Sequence, residues 1–424
     1  MIAVLLAPVY LLLNAYIFRW LIRYMGACTH HFKKTWVRLV ILAVYGFLAL
    51  SILLAFFWPA RWLIYLSNIW FGTLCYILLT VLAADGIRLI AKLIVKRGKK
   101  REWKESRRLF VVSGTFCIAL ILSLSVYGYL NARHIHTTDY SVTIDKTCKN
   151  LDSMRVVLVA DLQLGYSVGN EQMSQMVKKI NAQAPDLVVI AGDILDINYD
   201  ALKNTDKLAS TLRGNKRHYG AYACYGNHDN PEKVLAGFTF NHEKKKMSDP
   251  RMDQFLEDAH IQFLHDEGVL IDDSFYLFGR ADRERPGRGI SKRLSPKELT
   301  EDMDQDRPIL VIDHEPDQLQ ELADAGVDLD LCGHTHDGQM FPGNLTIKLL
   351  WENPCGYLKK DRMHNIVTSG VGVFGPNMRV GTKSEICVID VGFQSNYWVW
   401  RTLAGWQEAA PTTLWRPASL ALIC

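Results

Sequence analysis

Four long apolar segments, at roughly 2–18, 39–60, 63–84 and 109–131, fill the first third of the chain. They constrain its fold more than any other feature. About 20 apolar residues of helix cross a bilayer core, and within lipid every backbone polar group must be paired, so only helices and closed barrels survive there. Segments of this length predict helices. Only Ala60-Arg61-Trp62 separates the second from the third, which makes them a tight hairpin. Trp58, Trp62, Tyr65, Trp70, Tyr127 and Tyr129 include candidates for interfacial anchors. The first segment is the shortest and contains Pro8, and basic residues follow it rather than precede it, which argues against a signal peptide. The expectation is a four-helix transmembrane region over 1–131.

Charge divides the chain at the same place. Residues 1–131 hold 16 Lys and Arg against 3 acids, a net of +13, and the remainder holds 32 against 41, a net of −9. Arg19, Arg23, Lys33, Lys34 and Arg38 lie between the first two segments, and a denser basic run at 92–108 lies between the last two. Positive loops stay cytoplasmic, so the chain beyond residue 131 is expected outside the cytoplasm, attached to the cell membrane by several passes. The position of the basic run explains it by topology and by contact with anionic lipid headgroups, so no nucleic-acid partner is expected. Asp85, near the end of the third segment, is the one acid at the spans, whereas a transporter needs intramembrane charges.

Beyond the membrane region, strand-like runs at 154–160, 186–191, 219–225, 308–312 and 327–332 alternate with helix-like stretches at roughly 171–183, 200–213, 250–260 and 316–325. Most of the runs are nearly continuously apolar, the pattern of strands buried on both faces, and the alternation argues for βαβ units. Five short blocks are set against them: Asp161-Leu162-Gln163, Gly192-Asp193, Gly226-Asn227-His228-Asp229, Asp313-His314 and Gly333-His334-Thr335-His336. Side chains leaving strand ends converge on one edge of a sheet, where α/β proteins place their sites.

Asp161, Asp193, Asn227, His314, His334 and His336 offer carboxylates, imidazoles and a neutral amide. That mixture suits two divalent metals sharing a carboxylate, which together activate water and clamp phosphoryl oxygens. His228 follows Asn227 and could donate a proton beside the metals. Asp229 could hydrogen-bond that imidazole and raise its pKa.

The ordered blocks resemble the calcineurin-like metallophosphoesterase superfamily, whose pattern runs D-x-H, G-D-x-x-D, G-N-H-D, H and G-H-x-H. The run from Gly333 through Gln339 and a later Gly-rich segment are similar to its membrane-associated bacterial branch. The resemblance covers about residues 150–392. It implies a four-layer α-β-β-α sandwich and two divalent ions drawn from Mn, Zn, Fe and Mg. Asp161, Gln163, Asp193 and His336 would hold the first ion, and Asp193, Asn227, His314 and His334 the second. His228 would protonate the leaving group, and a hydroxide held between the ions would attack phosphorus in line. Asp196 completes the G-D-x-x-D block in a supporting role. The chain departs from the pattern at two positions. Gln163 stands where the family has His, and an amide oxygen is a weaker, harder donor that favours Mn or Mg over Zn. Asp337 replaces the Gly usual after G-H-T-H in this branch.

The charged, Gly/Pro-punctuated stretch 280–306 sits between strand-like runs at 275–279 and 308–312, and its arginines, Arg280 first among them, are candidates to grip a phosphate or diphosphate. Arg379, in the Gly-rich segment, is a second substrate-side candidate. Nine cysteines show no zinc-finger spacing; Cys224, Cys332 and Cys387 read as core residues. His218, His242, His260, His265 and His364 lack motif context.

The sequence therefore divides into a membrane domain at 1–131, a linker and first strand at 132–150, a phosphoesterase domain at 151–392 and a Trp-bearing extension at 393–424. Its expected activity is hydrolysis of phosphoester or phosphoanhydride bonds. Its expected partners are the lipid bilayer and a phosphorylated small-molecule or lipid substrate. The contrasting reading is a non-catalytic phosphate-binding membrane sensor or scaffold, which Gln163 keeps open.

Overall fold

A computed structural model describes residues 2–97, 107–149, 151–196, 198–230, 234–235, 238–239 and 248–394. The 393–424 extension and His242 therefore fall almost wholly outside the described residues.

Four helices open the chain: α1 (Ile2–Cys28), α2 (Thr35–Phe57), α3 (Arg61–Arg97) and α4 (Arg107–Asn131). Among the described residues three of them, Thr35–Phe57, Arg61–Ile94 and Arg107–Asn131, are long and apolar enough to cross a membrane. The expectation of four spans is corrected to three candidates. The first helix runs well past residue 18, and Asn14, Arg19 and Arg23 break its apolar stretch. It still joins the bundle: Ile17 packs with Tyr45 and Trp70, and the buried Asn14 amide oxygen accepts from the Tyr45 hydroxyl at 2.9 Å. Asp85, the acid near the end of the third segment, is paired rather than bare. Its carboxylate takes Arg88 at 2.8 Å and the Tyr16 hydroxyl at 2.6 Å.

The remainder builds two six-stranded sheets. The first sheet comprises β1 (Ile135–Thr147), β2 (Ser153–Val159), β3 (Leu187–Ala191), β4 (Gly220–Cys224), β7 (Gln262–Phe263) and β14 (Ser384–Gln394), in the order β1-β14-β2-β3-β4-β7. Strands β2, β3, β4 and β7 run parallel. A small hairpin, β5 (Val234–Leu235) and β6 (Phe238–Thr239), stands apart from both sheets. The second sheet comprises β8 (Glu267–Ile271), β9 (Phe275–Gly279), β10 (Ile309–Ile312), β11 (Leu329–Cys332), β12 (Gly356–Lys360) and β13 (Met363–Val367), in the order β12-β13-β11-β10-β9-β8. Its four central strands are parallel.

The near-continuous apolar runs of the sequence are explained by which face each residue takes. Along β2, Val156 and Leu158 point into a core shared with Leu277, Leu310, Ile312, Leu329 and Leu331 of the second sheet. Their neighbours Val157 and Val159 point the other way, into helices α5 (Asn170–Ala182), α6 (Thr205–Arg213) and α7 (Pro250–Asp258). Helices α8 (Pro296–Thr300) and α9 (Leu319–Asp324) cover the outer face of the second sheet through Leu299, Leu319 and Leu322. Period-two alternation with both faces apolar produces the α-β-β-α sandwich. The eight described cysteines are all free, and Cys224, Cys332 and Cys387 are buried in strands.

The sandwich is seated on the helices. Arg61, at the start of α3, donates to the carbonyls of Gly165 and Ala201 at 3.0 and 2.6 Å, and Asn68 reaches Ser167 at 3.2 Å. The 376–382 segment lies against both α3 and α4. Met378 and Val380 pack with Tyr76 and Leu124, and the Arg379 N–H donates to the Gly128 carbonyl at 2.9 Å. This close approach requires glycine on the helices: a Cβ at Gly128 would stand 2.7 Å from Val380, and one at Gly72 would stand 2.8 Å from the Met378 sulfur.

Gly128→Ala is therefore expected to lower the melting temperature of the detergent-solubilised full chain, by about 1–3 kcal/mol of overpacking. Gly86→Ala, where no atom lies within 4 Å, should be neutral or stabilising by its helix propensity. Equal melting curves for the two variants would contradict this seating.

Candidate metal centre

Five strand ends carry the site. Asp161 and Gln163 follow β2, Asp193 follows β3, Asn227 and His228 follow β4, His314 follows β10, and His334 and His336 follow β11. The first three strands belong to one sheet and the last two to the other, so the blocks meet across the seam of the sandwich. Sharp reversals aim them. Asp161, Gln163, Asp193, His334 and His336 all hold φ between 50° and 71°, a left-handed backbone that costs a non-glycine residue roughly 1–2 kcal/mol. Such strain persists where the surrounding structure over-determines it, typically at functional sites. Gly226 must lack a side chain, because a Cβ there would stand 2.2 Å from Asp193 Oδ1 and 2.7 Å from His314 Nε2.

Hydrogen bonding fixes His314. Its Nδ1 meets the Ala191 carbonyl at 2.8 Å, an acceptor, so Nδ1 carries the proton and Nε2 is free to present a lone pair. That Nε2 lies 3.3 Å from Asp193 Oδ1, 3.1 Å from Asn227 Oδ1 and 3.2 Å from His334 Nδ1. His334 Nδ1 is in turn 3.1 Å from Asn227 Oδ1. A carboxylate oxygen, an amide oxygen and two ring nitrogens thus crowd one point with few protons to share among them. Acceptors cluster this way around a cation. Asp161, Asp193 and His314 offer ligand atoms all within 4.8 Å of one another.

A second group of donors adjoins the first. Asp161 Oδ2 accepts the His334 N–H at 3.0 Å, while Oδ1 is buried without a hydrogen-bond donor, 3.3 Å from His336 Nε2. Gln163 is fully buried, with its Nε2 donating to Asp193 Oδ2 at 2.9 Å and its Oε1 unpartnered. In this orientation the amide nitrogen, not the oxygen, faces the site. Gln163 could ligate only with its amide reversed. The residues present fit a metal at the Asp161–Asp193–His314 cluster, with Gln163 the weakest donor beside it.

Electrostatics agree with an acceptor-rich cavity. Burial pushes the Asp161 carboxyl up to about 7. Burial alone would also raise Asp193, but the His314 and His228 imidazoles reverse the shift and hold it below the usual carboxylate range. Burial opposes charge on His314 as well, and Asp193 overrides it, so this imidazole sits well above its ordinary value. Burial drives His334 down to about 3 and His336 well down too.

His228 lies at the rim. Its ring packs on Phe374 with centroids 4.4 Å apart, its Nε2 is 4.0 Å from Asp193 Oδ2, and burial lowers its pKa. Three sequence-based roles are corrected here. Asp229 does not orient His228: its two oxygens accept the backbone N–H groups of Leu195 and Gly226, both at 2.8 Å. It ties the loop after β4 to the loop after β3. Arg280 is fully buried and does not face a substrate mouth; it binds Asp313 at 2.6 Å and Gln318 at 2.9 Å beneath the site. Arg379 is also fully buried, and its guanidinium donates to the carbonyls of Ser369, Gly372 and His336 and meets His336 Nδ1 at 3.2 Å. It fixes the orientation of His336 and does not face a substrate mouth. Asp196 is buried with its N–H on the Leu164 carbonyl, and Asp337 is half-buried. His364 packs between Tyr357 and the Thr143 carbonyl.

Sequence reasoning missed three neighbours. Arg285, partly exposed, donates to the Asn227 carbonyl at 3.1 Å. It belongs to the arginine-rich run of the sequence, but the choice among its members needed the fold. Phe374 against His228 and Trp351 against His334, with centroids 5.2 Å apart, had no local signal.

The sandwich and its acceptor cluster are those of a metallophosphoesterase domain. Residues 154–338 match the calcineurin-like phosphoesterase family, and the chain carries a domain of that family. A transmembrane protein with a metallophosphoesterase domain from Danio rerio is 31% identical over 68% of this chain and 66% of its own length. This chain thus spans about two thirds of that relative. A metallophosphoesterase of Campylobacter jejuni is 27% identical over 90% of this chain and 95% of its own. A UDP-2,3-diacylglucosamine pyrophosphatase of Chlamydia trachomatis is 24% identical over 58% and 86%.

Metal entry must displace protons. His314 and Asp161 are both held above their ordinary pKa values, His314 by the neighbouring Asp193 and Asp161 by burial, so each holds a proton more tightly than a free imidazole or carboxyl, and raising the pH favours metal binding. Calorimetric titration of the metal-free full chain with Mn at pH 7, in buffers of different ionisation enthalpy, is expected to show net proton release. Affinity should weaken as the pH falls. Binding without proton release would exclude His314 and Asp161 as ligands.

Proposed function

We propose that this chain hydrolyses phosphoester or phosphoanhydride bonds in membrane-borne substrates, on the extracytoplasmic face, at a centre holding two divalent ions. The observation that carries this reading is the convergence of Asp193 Oδ1, Asn227 Oδ1 and His334 Nδ1 on His314 Nε2, each within 3.1–3.3 Å of it. When bound, the ions would supply a water activated for attack and positive charge for the phosphoryl oxygens. Asp161, Gln163, Asp193 and His336 would hold one, and Asp193, Asn227, His314 and His334 the other.

The chain's own groups account for the remaining steps. His228, at the rim and against Phe374, would give a proton to the departing oxygen. Arg285, beside the Asn227 carbonyl, takes the phosphate-gripping role that the buried Arg280 cannot fill. Arg379 holds His336 in orientation through Nδ1 and its carbonyl.

Topology supports the side. The α2–α3 turn and the end of α4 both meet the sandwich, whereas the basic run 92–108 lies between the opposite ends of α3 and α4. A phospholipid headgroup or lipid-linked diphosphate is the favoured substrate class, because the site is tied to membrane helices. The Chlamydia relative's name joins a pyrophosphate bond to a diacylated sugar nucleotide, which is the same kind of molecule. The scaffold alternative rests on Gln163, whose amide nitrogen faces Asp193.

With Mn, the purified full chain should cleave bis-p-nitrophenyl phosphate, and Asp193→Asn or His314→Ala should abolish turnover. His228→Ala is expected to cost about 10²–10⁴ in kcat with metal content retained. Arg285→Ala should raise KM more than it lowers kcat. Unchanged turnover in Asp193→Asn and His314→Ala would exclude this centre, and a wild type that binds Mn but turns over nothing would favour the scaffold.

A further inference from the structure

Beyond the helices, six large apolar side chains are exposed among the described residues, and four of them fall within ten positions. They are Phe341, Leu345, Leu349 and Leu350, and the last two are 85% and 76% exposed. A soluble surface does not concentrate large aliphatic groups in this way. The segment is short and irregular, a turn of helix α10 (Gly343–Thr346) followed by a 3-10 turn at Ile347–Leu349.

Its position identifies what covers it. Met340 packs with Tyr76 of α3, Leu124 of α4, Met378 and Val380. The Phe341 N–H donates to the Val380 carbonyl at 2.8 Å, and the neighbouring Arg379 donates its own N–H to Gly128 of α4. The exposed leucines therefore continue directly from the apolar surface of the membrane helices. Trp58 and Trp62 mark the α2–α3 turn as the outer interface. Gly72 and Tyr76 lie about 16 and 22 Å of helix rise beyond Arg61, so the seat occupied by Met378 and Met340 is on the flank of the apolar helix α3. Exposed Lys348, between Leu345 and Leu349, has the length to carry its charge back to headgroup phosphates.

We infer that residues 341–350 are inserted in the outer leaflet as a monotopic foot, covered by lipid acyl chains, and that they present the metal centre to phosphates carried by lipids. Trp351 follows the foot directly and packs on His334 with ring centroids 5.2 Å apart, so the foot adjoins the site. The second half of the inference rests on the hydrolase reading; the insertion does not.

The full chain in phosphatidylcholine vesicles carrying a diazirine in the acyl chain tests the insertion directly. After irradiation, mass spectrometry is expected to find lipid adducts on the peptide holding 341–351 as well as on α2–α4. The double variant Leu349→Glu, Leu350→Glu should lose about tenfold of the label on that peptide while labelling of α2–α4 stays unchanged. Adducts confined to the helices would overturn the insertion. For delivery, the same variant should keep turnover of soluble bis-p-nitrophenyl phosphate and lose about tenfold on a phosphodiester carried by a vesicle lipid. Equal rates on both substrates in variant and wild type would overturn delivery. A wild type inactive on both would remove the hydrolase reading, and the photolabelling would still decide the insertion.

Discussion

The Asp193 carboxylate is the group around which the rest of the domain is set. It is buried, and a buried carboxylate is tolerated only when it is surrounded by donors or cations. Its Oδ1 takes the His228 N–H at 2.9 Å and faces His314, while its Oδ2 takes the Gln163 amide. Each of these groups arrives from a different strand end, so the demands of one charge fix the relative placement of both sheets. Gly226, flattened against Asp193, and Asp229, which ties the loop after β4 to the loop after β3, are supports for the same arrangement.

A second set of contacts does for the membrane what Asp193 does for the centre. Glycines on α3 and α4 let the 376–382 segment lie close against the helices. Arg61 and Asn68 hold the opposite loops. The sandwich is thus packed on its anchor through side chains of both apolar and polar kinds, and is not hung from a linker. This explains why exposed leucines and buried metal-ligand candidates can occur within one stretch of chain.

Much of this was legible in the sequence because it obeys short-range rules. Continuous apolar runs read as doubly buried strands, and Val156 to Val159 alternate between the two cores as that pattern requires. The ligand blocks were legible because strand ends focus adjacent residues on one point. What failed were assignments that depend on which way a side chain turns after the chain folds. Asp229 neighbours His228 in sequence, yet the tight turn sends its carboxylate back to Gly226 and Leu195. An arginine in a Gly/Pro-rich loop reads the same whether it points out or in. Arg280 points in because Asp313, at the end of β10, lies beneath it. The first helix departs from expectation for a simpler reason. Its apolar start reads as a span, but Asn14, Arg19 and Arg23 lie further along the same helix.

Arg379 joins the two halves of the molecule in one residue. Its backbone N–H is bonded to Gly128 of a membrane helix, its carbonyl accepts from Asn131, and its guanidinium holds His336. The orientation of a candidate ligand is therefore fastened to the packing of α4 by a rigid span of a few bonds. A domain cut away from its helices keeps every ligand in its sequence but loses the fastening. The membrane helices are thus part of the scaffold that orients His336, and detergent or lipid choices that loosen α4 act on that candidate ligand.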